Sequence, residues 1–506
     1  MARIQIRDVG QYGIISDLPA HELPPEAWSG GENVRFVGEA AEPMSNSGEV
    51  YGTLQTQPYK IFSVKAANGT AYWVYCGETE IWAITPADPS ATHTEITRAS
   101  SDYGGFQTWT GNWLNGVQIF NNGQDYPQVW NPTAPATKLV NMANWPSTWT
   151  SRVVRPFRNF LIALDTTKGS TRYPTLVNWS HPADPGAVPS SWDVTDPTKL
   201  TGEFPLSSTP GALVDCLPLR DANVIYKEDA IILQQYVGGQ DIFGWRDISV
   251  GTGIASTDCV VEFKPGYHVL LTQDLDIVVC NGQTVESILT AKRRRYLQGF
   301  SVTAKESWFV VAHPARQEVW FCVGSGSYPT EAMTWNWAKN TWGHYGLGGT
   351  YDLVWGQYSA DGSVAASPRM LGIKPAQTKM YLHGDPVADN TYTTLHRDGL
   401  ALIGQGRDGS PRVDYNKHKV VTEIWPQVSA PPGTVFTISI DAVNSRDDLT
   451  GDLTANAQTF TYTVGTDTKV DCLVEGKFIN IRFEVDTNNW RLFGYGLELN
   501  VVGEYV

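Results

Sequence analysis

Few residues of this chain stand at spacings that do chemistry. Asp274 and Asp276 lie two apart, so on a strand they share a face, as paired carboxylates do in general acid and base work. Hairpin turns are also rich in Asp, because its side chain bonds the local backbone, and the turn is the favoured reading here. "GQGRDG", with Gly404, Gly406 and Gly409, fits the GxGxxG pattern. A dinucleotide fingerprint must follow a strand and open a helix. Here a Ser-Pro follows, which points to a turn between domains. The nine histidines show no HExxH spacing, and neither a GxSxG elbow nor a P-loop occurs. Zinc, acyl-transfer and nucleotide-hydrolysis signatures are therefore missing. No catalytic residue, metal ligand or cofactor is expected, and the chain is not expected to be an enzyme.

The one basic run is "AKRRRY", with Lys292, Arg293, Arg294 and Arg295. It offers a phosphate contact, or a solvated turn, or partners for carboxylates on a neighbouring element. The formal net charge of the chain is −15, the opposite of a nucleic-acid clamp. The N-terminus has no apolar core of a signal peptide. No run of about 18 apolar residues occurs, so no membrane insertion is expected. Six cysteines are scattered without CxxC spacing and are expected as buried free thiols of a protein made in a reducing cytoplasm.

The elements that must position these residues are strands. Apolar residues make up 42% and charged residues 18%, the latter below the ~25% of ordinary globular chains. The chain holds 47 Gly and 30 Pro, dense turn punctuation. Its 19 Trp, 22 Tyr and 17 Phe suit pleated surfaces. No amphipathic helix is legible. One phrase recurs, an apolar run, a short polar turn and a second apolar run: "NVIYKEDAIILQQY" from Asn223, "HVLLTQDLDIVVCN" from His268 and "WFVVAHPARQEVWFCV" from Trp308. Looser copies start at Ala71, Asn112 and Arg158, and a further unit fits between Tyr351 and His383. Each is a hairpin signature. Their spacing of roughly 40 to 65 residues matches the blade period of a β-propeller, with a Pro-rich insertion at residues 178–205. Tandem immunoglobulin-like domains would want a repeat nearer ~100 residues.

Beyond Gly409 the strands lengthen and alternate. Ile479, Ile481, Phe483 and Val485 face one way, Asn480, Arg482 and Glu484 the other. The expected fold is all-β: an extended N-terminal arm over residues 1–50, a propeller of six or seven blades over 51–405, and an antiparallel β-sandwich over 406–506. The arm contains "GIISDLPAHELPPEAWSGGENVRF", residues 13–36. Pro24 and Pro25 exclude a helix interior, yet Trp28, Val34 and Phe36 are spaced as apolar anchors, with Arg35 on the opposite face. Such a segment straps across a neighbouring domain or subunit, or closes its own propeller, and its backbone groups must be met there.

With the strands placed, the chain resembles the tail nozzle (tail hub, or DNA-stabilising tail tube) proteins of short-tailed bacteriophages. The phrases that carry the likeness span nearly its whole length. They begin with residues 13–36 and continue with "VWNPTAPATKLVNMANWP", "RPFRNFLIALD" and "LVNWSHPADPGAVPSSWD". Next come "PLRDANVIYKEDAIILQQYVGG", "TQDLDIVVCNGQTVESI" and "EVWFCVGSGSYPTEAMTWNWAKNTW". "IRFEVDTNNWRLFGYGLELNVVGEY" closes the series. The chain ends at "VVGEYV" where the family leads one to expect a Gly-Arg pair. The resemblance implies a virion tail component, made in the host bacterial cytoplasm and lacking enzyme activity. It implies a homohexameric ring below portal and head-to-tail adaptor, tail fibre or needle proteins as partners, and viral DNA retained in and conducted through the channel. Trp28, Val34, Arg35 and Phe36 are then candidate subunit or domain contacts. Arg293, Arg294 and Arg295 are candidate channel contacts that brake DNA against an acidic wall. A carbohydrate-binding or carbohydrate-cleaving propeller on a phage tail is the alternative.

Overall fold

The computed structural model describes all residues except 1, 17, 45–47, 86–91, 101, 106, 133–136, 359–366, 385–391, 407–409 and 503–506, and also leaves aside the side chains of residues 2, 291, 292 and 295. Among the described residues, seven four-stranded antiparallel sheets follow one another as blades. Their innermost strands are Lys60–Lys65, Thr110–Leu114, Trp149–Phe157, Leu213–Leu219, Val260–Lys264, Phe309–His313 and Asp352–Tyr358. Each repeated phrase of the sequence lies in one blade. In the fifth, Tyr267–Leu271 and Ile277–Cys280 pair across the turn that contains Asp274 and Asp276. Leu275 takes a left-handed φ of 59° there, and the Asp276 N–H donates to Thr272 Oγ1 at 3.0 Å. The Pro-rich insertion separates the third strand of the third blade, Thr171–Trp179, from its outer strand, Gly202–Pro205.

A blade is apolar on both faces and is stable only between neighbours. The core is accordingly a ring of clusters between blades. Val74, Phe120 and Trp130 pack in the first junction, Ile162, Ile225 and Ile232 in the third, and Ile61, Trp73 and Leu371 in the last. That last junction joins the seventh blade to the first. Gly356 there has no room for a side chain: a Cβ would meet Ser63 Oγ at 2.3 Å. The seventh blade draws only three strands from residues 352–383. Its outer strand is Gly48–Val50, which pairs Val50 with Met380 and Glu49 with Tyr381. Closure by the early chain fixes the count at seven, within the expected six or seven.

The sandwich is assembled from both ends of the chain. One sheet runs Val34–Val37, Ala40–Pro43, Arg491–Val502, His418–Ser429, Val470–Gly476, with Ala2–Arg7 also paired to Arg491–Val502. The facing sheet runs Gly30–Glu32, Thr393–Leu400, Phe478–Val485, Val435–Val443, Gln458–Thr463. Ile479, Ile481, Phe483 and Val485 enter the shared core as their alternation predicts. Two expected boundaries shift. The sandwich begins with Thr393–Leu400, not at 406, because that strand's partners are Gly30–Glu32 and Phe478–Val485, far away in sequence. The arm over 1–50 is not a separate extended element: its strands belong to the sandwich and, at Gly48–Val50, to the propeller. Of the "GQGRDG" turn, residues 407–409 lie outside the described residues, as does the end of "VVGEYV". The strands Leu402–Gln405 and Pro411–Val413 that flank the turn form a hairpin with each other.

One α-helix occurs among the described residues, Ala291–Leu297, at the basic run for which a solvated turn is one of three readings. No helix there is long and apolar enough to cross a membrane. The cysteines are free, five of them buried and Cys472 half-buried. Burial pushes the thiols of Cys216 and Cys259 up to about 12.

Trp28 is 1% exposed. Its indole N–H donates to the Val9 carbonyl at 2.8 Å, and its ring meets Phe483 edge-on at 6.0 Å. Removing a side chain so enclosed leaves a cavity, so Trp28→Ala should destabilise the monomer by about 3–5 kcal/mol. Deleting residues 1–36 strips strands from both sheets and should lower the monomer's melting temperature steeply or leave it insoluble. A truncated monomer with an unchanged calorimetric transition would contradict the strand pairing.

Candidate functional site

The residues singled out in the arm sit at the joint between the two domains. Val34 and Phe36 are buried in the sandwich core beside Trp28. Arg35 projects the other way and is 3% exposed. Its Nε and Nη2 donate to both carboxylate oxygens of Glu318 at 2.8 and 3.0 Å. Its Nη1 donates to the Gly384 carbonyl at 2.8 Å. Glu318 lies on the second strand of the sixth blade, Glu318–Val323, so this bidentate pair ties sandwich to propeller. Burial raises the Glu318 carboxyl, and the Arg35 charge outweighs that and holds it below its ordinary value.

The basic run joins the same neighbourhood. Arg293 donates to the Ile14 carbonyl at 3.3 Å and lies 4.9 Å over the Trp342 ring. Arg294 pairs with Asp276, which also accepts from Ser287 Oγ at 2.8 Å. Asp274 and Asp276 are thus turn residues, the second of them neutralised by the helix. The Arg295 side chain lies outside the described residues. Arg293 and Arg294 have contacts within their own chain, and a phosphate would have to displace these.

A second constellation is absent from the sequence reading. At the propeller axis, Lys60 Nζ is shared between Asp258 at 2.9 Å and Asp352 at 3.0 Å. Arg155 forks onto Asp215 at 2.7 and 2.8 Å and reaches Asp258 at 2.9 Å. It also donates to Asn112 Oδ1 at 3.2 Å. These residues come from the inner strands of five blades or the turn just before one, so the network crosses the axis. Asp352 closes the ring as well, accepting from the Ile61 N–H at 3.1 Å. Burial pushes the Asp258 carboxyl up, but the charges of Lys60 and Arg155 outweigh it and hold the group at about 2. In Asp352, burial prevails over Lys60 and lifts the carboxyl to about 6.

Above this network lies a cavity of about 1030 Å³. It is lined by connections entering inner strands, by the turns that follow the second strands of the second and sixth blades, and by strand residues Asp165, Thr167 and Arg172 of the third. Among the described residues, the charged ones on its wall are Lys60, Arg152, Asp165, Arg172, Asp258 and Glu306. Arg152, from the third blade, spans to Glu306 on the segment leading into the sixth at 3.0 Å. Arg172 pairs with Asp165 at 2.6 Å. Among the described residues, no group of three or more His, Cys, Asp or Glu is gathered to hold a metal ion.

No family model and no curated protein matches the chain. Among solved structures, it is similar to the WD40 β-propeller domain of Doa1, with 7% identity over 67% of this chain and 97% of that one, TM-score 0.41. It is similar to the β-propeller domain of Myceliophteria thermophila Cps50 (Swd1), with 7% identity over 67% and 100%, TM-score 0.38. It is also similar to YCF48 bound to D1 peptide, with 10% identity over 68% and 97%, TM-score 0.39. None of these likenesses bears on what this chain does.

The axial network makes two checkable statements. Lys60→Met leaves Asp258 short of one partner and Asp352 without its cation, and should cost about 3–5 kcal/mol in denaturant unfolding. The two carboxyls have opposite pH signatures. Asp258, depressed from 3.8 to about 2, contributes stability present above 3.8 and lost as pH falls through about 2. Asp352, raised from 3.8 to about 6, holds its proton longer in the fold than in the unfolded chain, so stability falls as pH rises through that window. Asp352→Asn mimics the protonated acid. Its melting temperature should therefore gain on the wild type's between pH 3.8 and 6; parallel curves would refute the raised value.

Proposed function

We propose that this chain is a structural tail protein of a short-tailed bacteriophage: a nozzle subunit whose copies form a ring that extends the DNA channel below the portal and adaptor. The reading is supported by the way its two outermost resembling phrases meet. Residues 13–36 and 481–505 stand at opposite ends of the chain, yet Trp28 of the first packs against Phe483 and Tyr495 of the second. These two phrases thus meet in one packed unit, the sandwich core.

In this reading the DNA does not travel along the propeller's own axis, which the Lys60, Arg155 and Asp258 network crosses. The channel is instead lined by neighbouring copies. The −15 charge of each chain then supplies a wall of the same sign as the DNA, which keeps a polyanion sliding and is screened beyond ~10 Å at 0.1 M salt. The retained genome, the adaptor above and the fibre or needle below are partners of the ring.

Two measurements test the reading. Weighed in solution or on adaptor-bearing heads, the assembled species should have six times the 55.8 kDa chain mass. Phage particles made without this chain should fill with DNA and then lose it. Stable, infectious particles that lack the chain would overturn the proposal.

A further inference from the structure

The axial cavity is a built pocket, and its wall says what kind of molecule it suits. Its volume, about 1030 Å³, is at the upper end of small-molecule sites, which run to about 1,000 Å³. Among the described residues, the charged groups on the wall are matched three against three, and each cation already holds an anion of the same wall: Lys60 with Asp258, Arg152 with Glu306, Arg172 with Asp165. A charged ligand would find no unbalanced charge on this wall to attract it. An uncharged ligand needs none.

What remains is hydrogen-bonding capacity without charge. Hydroxyls and amides dominate the rest of the lining, among them Gln107, Thr108, Gln124, Thr303, Ser325 and Ser327. Asn122 lines the cavity too. Tyr59 and Tyr351 stand together on the wall, with ring centroids 4.9 Å apart. Rings of this kind offer an apolar face beside a polar tip.

We infer that the cavity binds an uncharged polyhydroxylated ligand, a short stretch of neutral saccharide. Its hydroxyls both donate and accept, as the Ser, Thr, Asn and Gln side chains do, and its C–H faces pack on the tyrosines. The site binds without cleaving. A glycosidase needs one carboxyl that carries a proton and a second that is ionised. Among the described residues, every carboxylate on this wall is ion-paired, and Asp258 is held at about 2. This inference does not depend on the tail reading and is tested on the isolated chain.

Gly326 supplies the test. It lines the cavity, a Cβ there meets nothing within 4 Å, and its φ lies outside the left-handed region. Gly326→Trp should therefore fill the pocket without disturbing the fold. The purified chain is applied to an array of neutral and acidic bacterial oligosaccharides, and the best neutral binder is titrated by calorimetry. Neutral members should be retained. Gly326→Trp should abolish their binding with an unchanged melting temperature, and Tyr351→Ala should weaken it by about ten-fold, the loss of one ring contact. Binding of no neutral member, preference for acidic ones, unaltered binding by Gly326→Trp, or shortened oligosaccharides after incubation would each overturn the inference. A chain that binds saccharide but forms no ring would leave this site standing and remove the nozzle reading.

Discussion

A ring of blades has a first and a last sheet, and any strand position left empty between them exposes an edge. In this chain one stretch before residue 51 removes the edge and also completes the other domain. It gives Ala2–Arg7, Gly30–Glu32, Val34–Val37 and Ala40–Pro43 to the sandwich, then crosses to the seventh blade as Gly48–Val50. The chain must also return from the blade at His383 to the sandwich at Thr393–Leu400. Two strands of connection therefore span the domains, and Arg35 clamps them where they cross: its guanidinium holds Glu318 of the blade and the Gly384 carbonyl of the returning chain. Neither domain can lose this stretch and remain closed.

The axis presents a different problem. Inner strands converge there too closely for large apolar side chains from every blade, and polar groups near the axis must be satisfied from one another. The solution is alternation of sign: Asp352, Lys60, Asp258, Arg155, Asp215. Such a chain of charges is weak as a source of net stability, since desolvation offsets much of the attraction. Its effect is specificity. Each charge has a partner only if the blades stand in this order, so a slipped or missing blade leaves an uncompensated buried ion. The raised Asp352 and depressed Asp258 express the same fact: Lys60 reaches both carboxylates, but Asp258 alone has Arg155 as a second cation, and burial prevails at Asp352.

The sequence made the hairpins legible because each is local. Apolar runs bracket a polar turn within a dozen or so residues, and alternation in residues 479–485 marks the core face directly. Closure was not legible, because Gly48–Val50 carries too few residues to show a period and its partner Met380–His383 lies far along the chain. The sandwich boundary failed for the same reason: Thr393–Leu400 resembles one more strand of the preceding propeller until Phe478–Val485 is placed beside it. The helix Ala291–Leu297 is too short to display an amphipathic stripe. At the joint, the anchors Trp28, Val34 and Phe36 were visible as apolar residues in a Pro-rich segment, but nothing local names Glu318 as the partner of Arg35. The axial residues were hidden because ion pairs between blades obey no sequence spacing.

The segment around Leu18 to Trp28 raises a last physical question, how an irregular backbone is satisfied inside a fold. Its donors find carbonyls: Ile14 N–H bonds Trp342, Ala27 bonds Pro24 and Ser29 bonds His396, each at 2.8–3.0 Å. Its carbonyls have no strand beside them. Arg397, 1% exposed, gathers them: Nη1 donates to Ala20 at 2.8 Å and Nη2 to Leu23 at 3.0 Å, with Pro24 at 3.4 Å. Arginine suits this because its several N–H donors lie in a fixed plane and stay charged in a dry site. The same device recurs at two other connections. Lys227 Nζ donates to the carbonyls of Leu206 at 2.8 Å and Thr209 at 2.6 Å, and Lys419 Nζ to those of Asp414 at 2.9 Å and Lys477 at 2.5 Å. Proline removes donors from such a segment and leaves acceptors in excess. A buried cation supplies the missing donors in one place, which is why a stretch with Pro19, Pro24 and Pro25 folds against its own sandwich and not away from it.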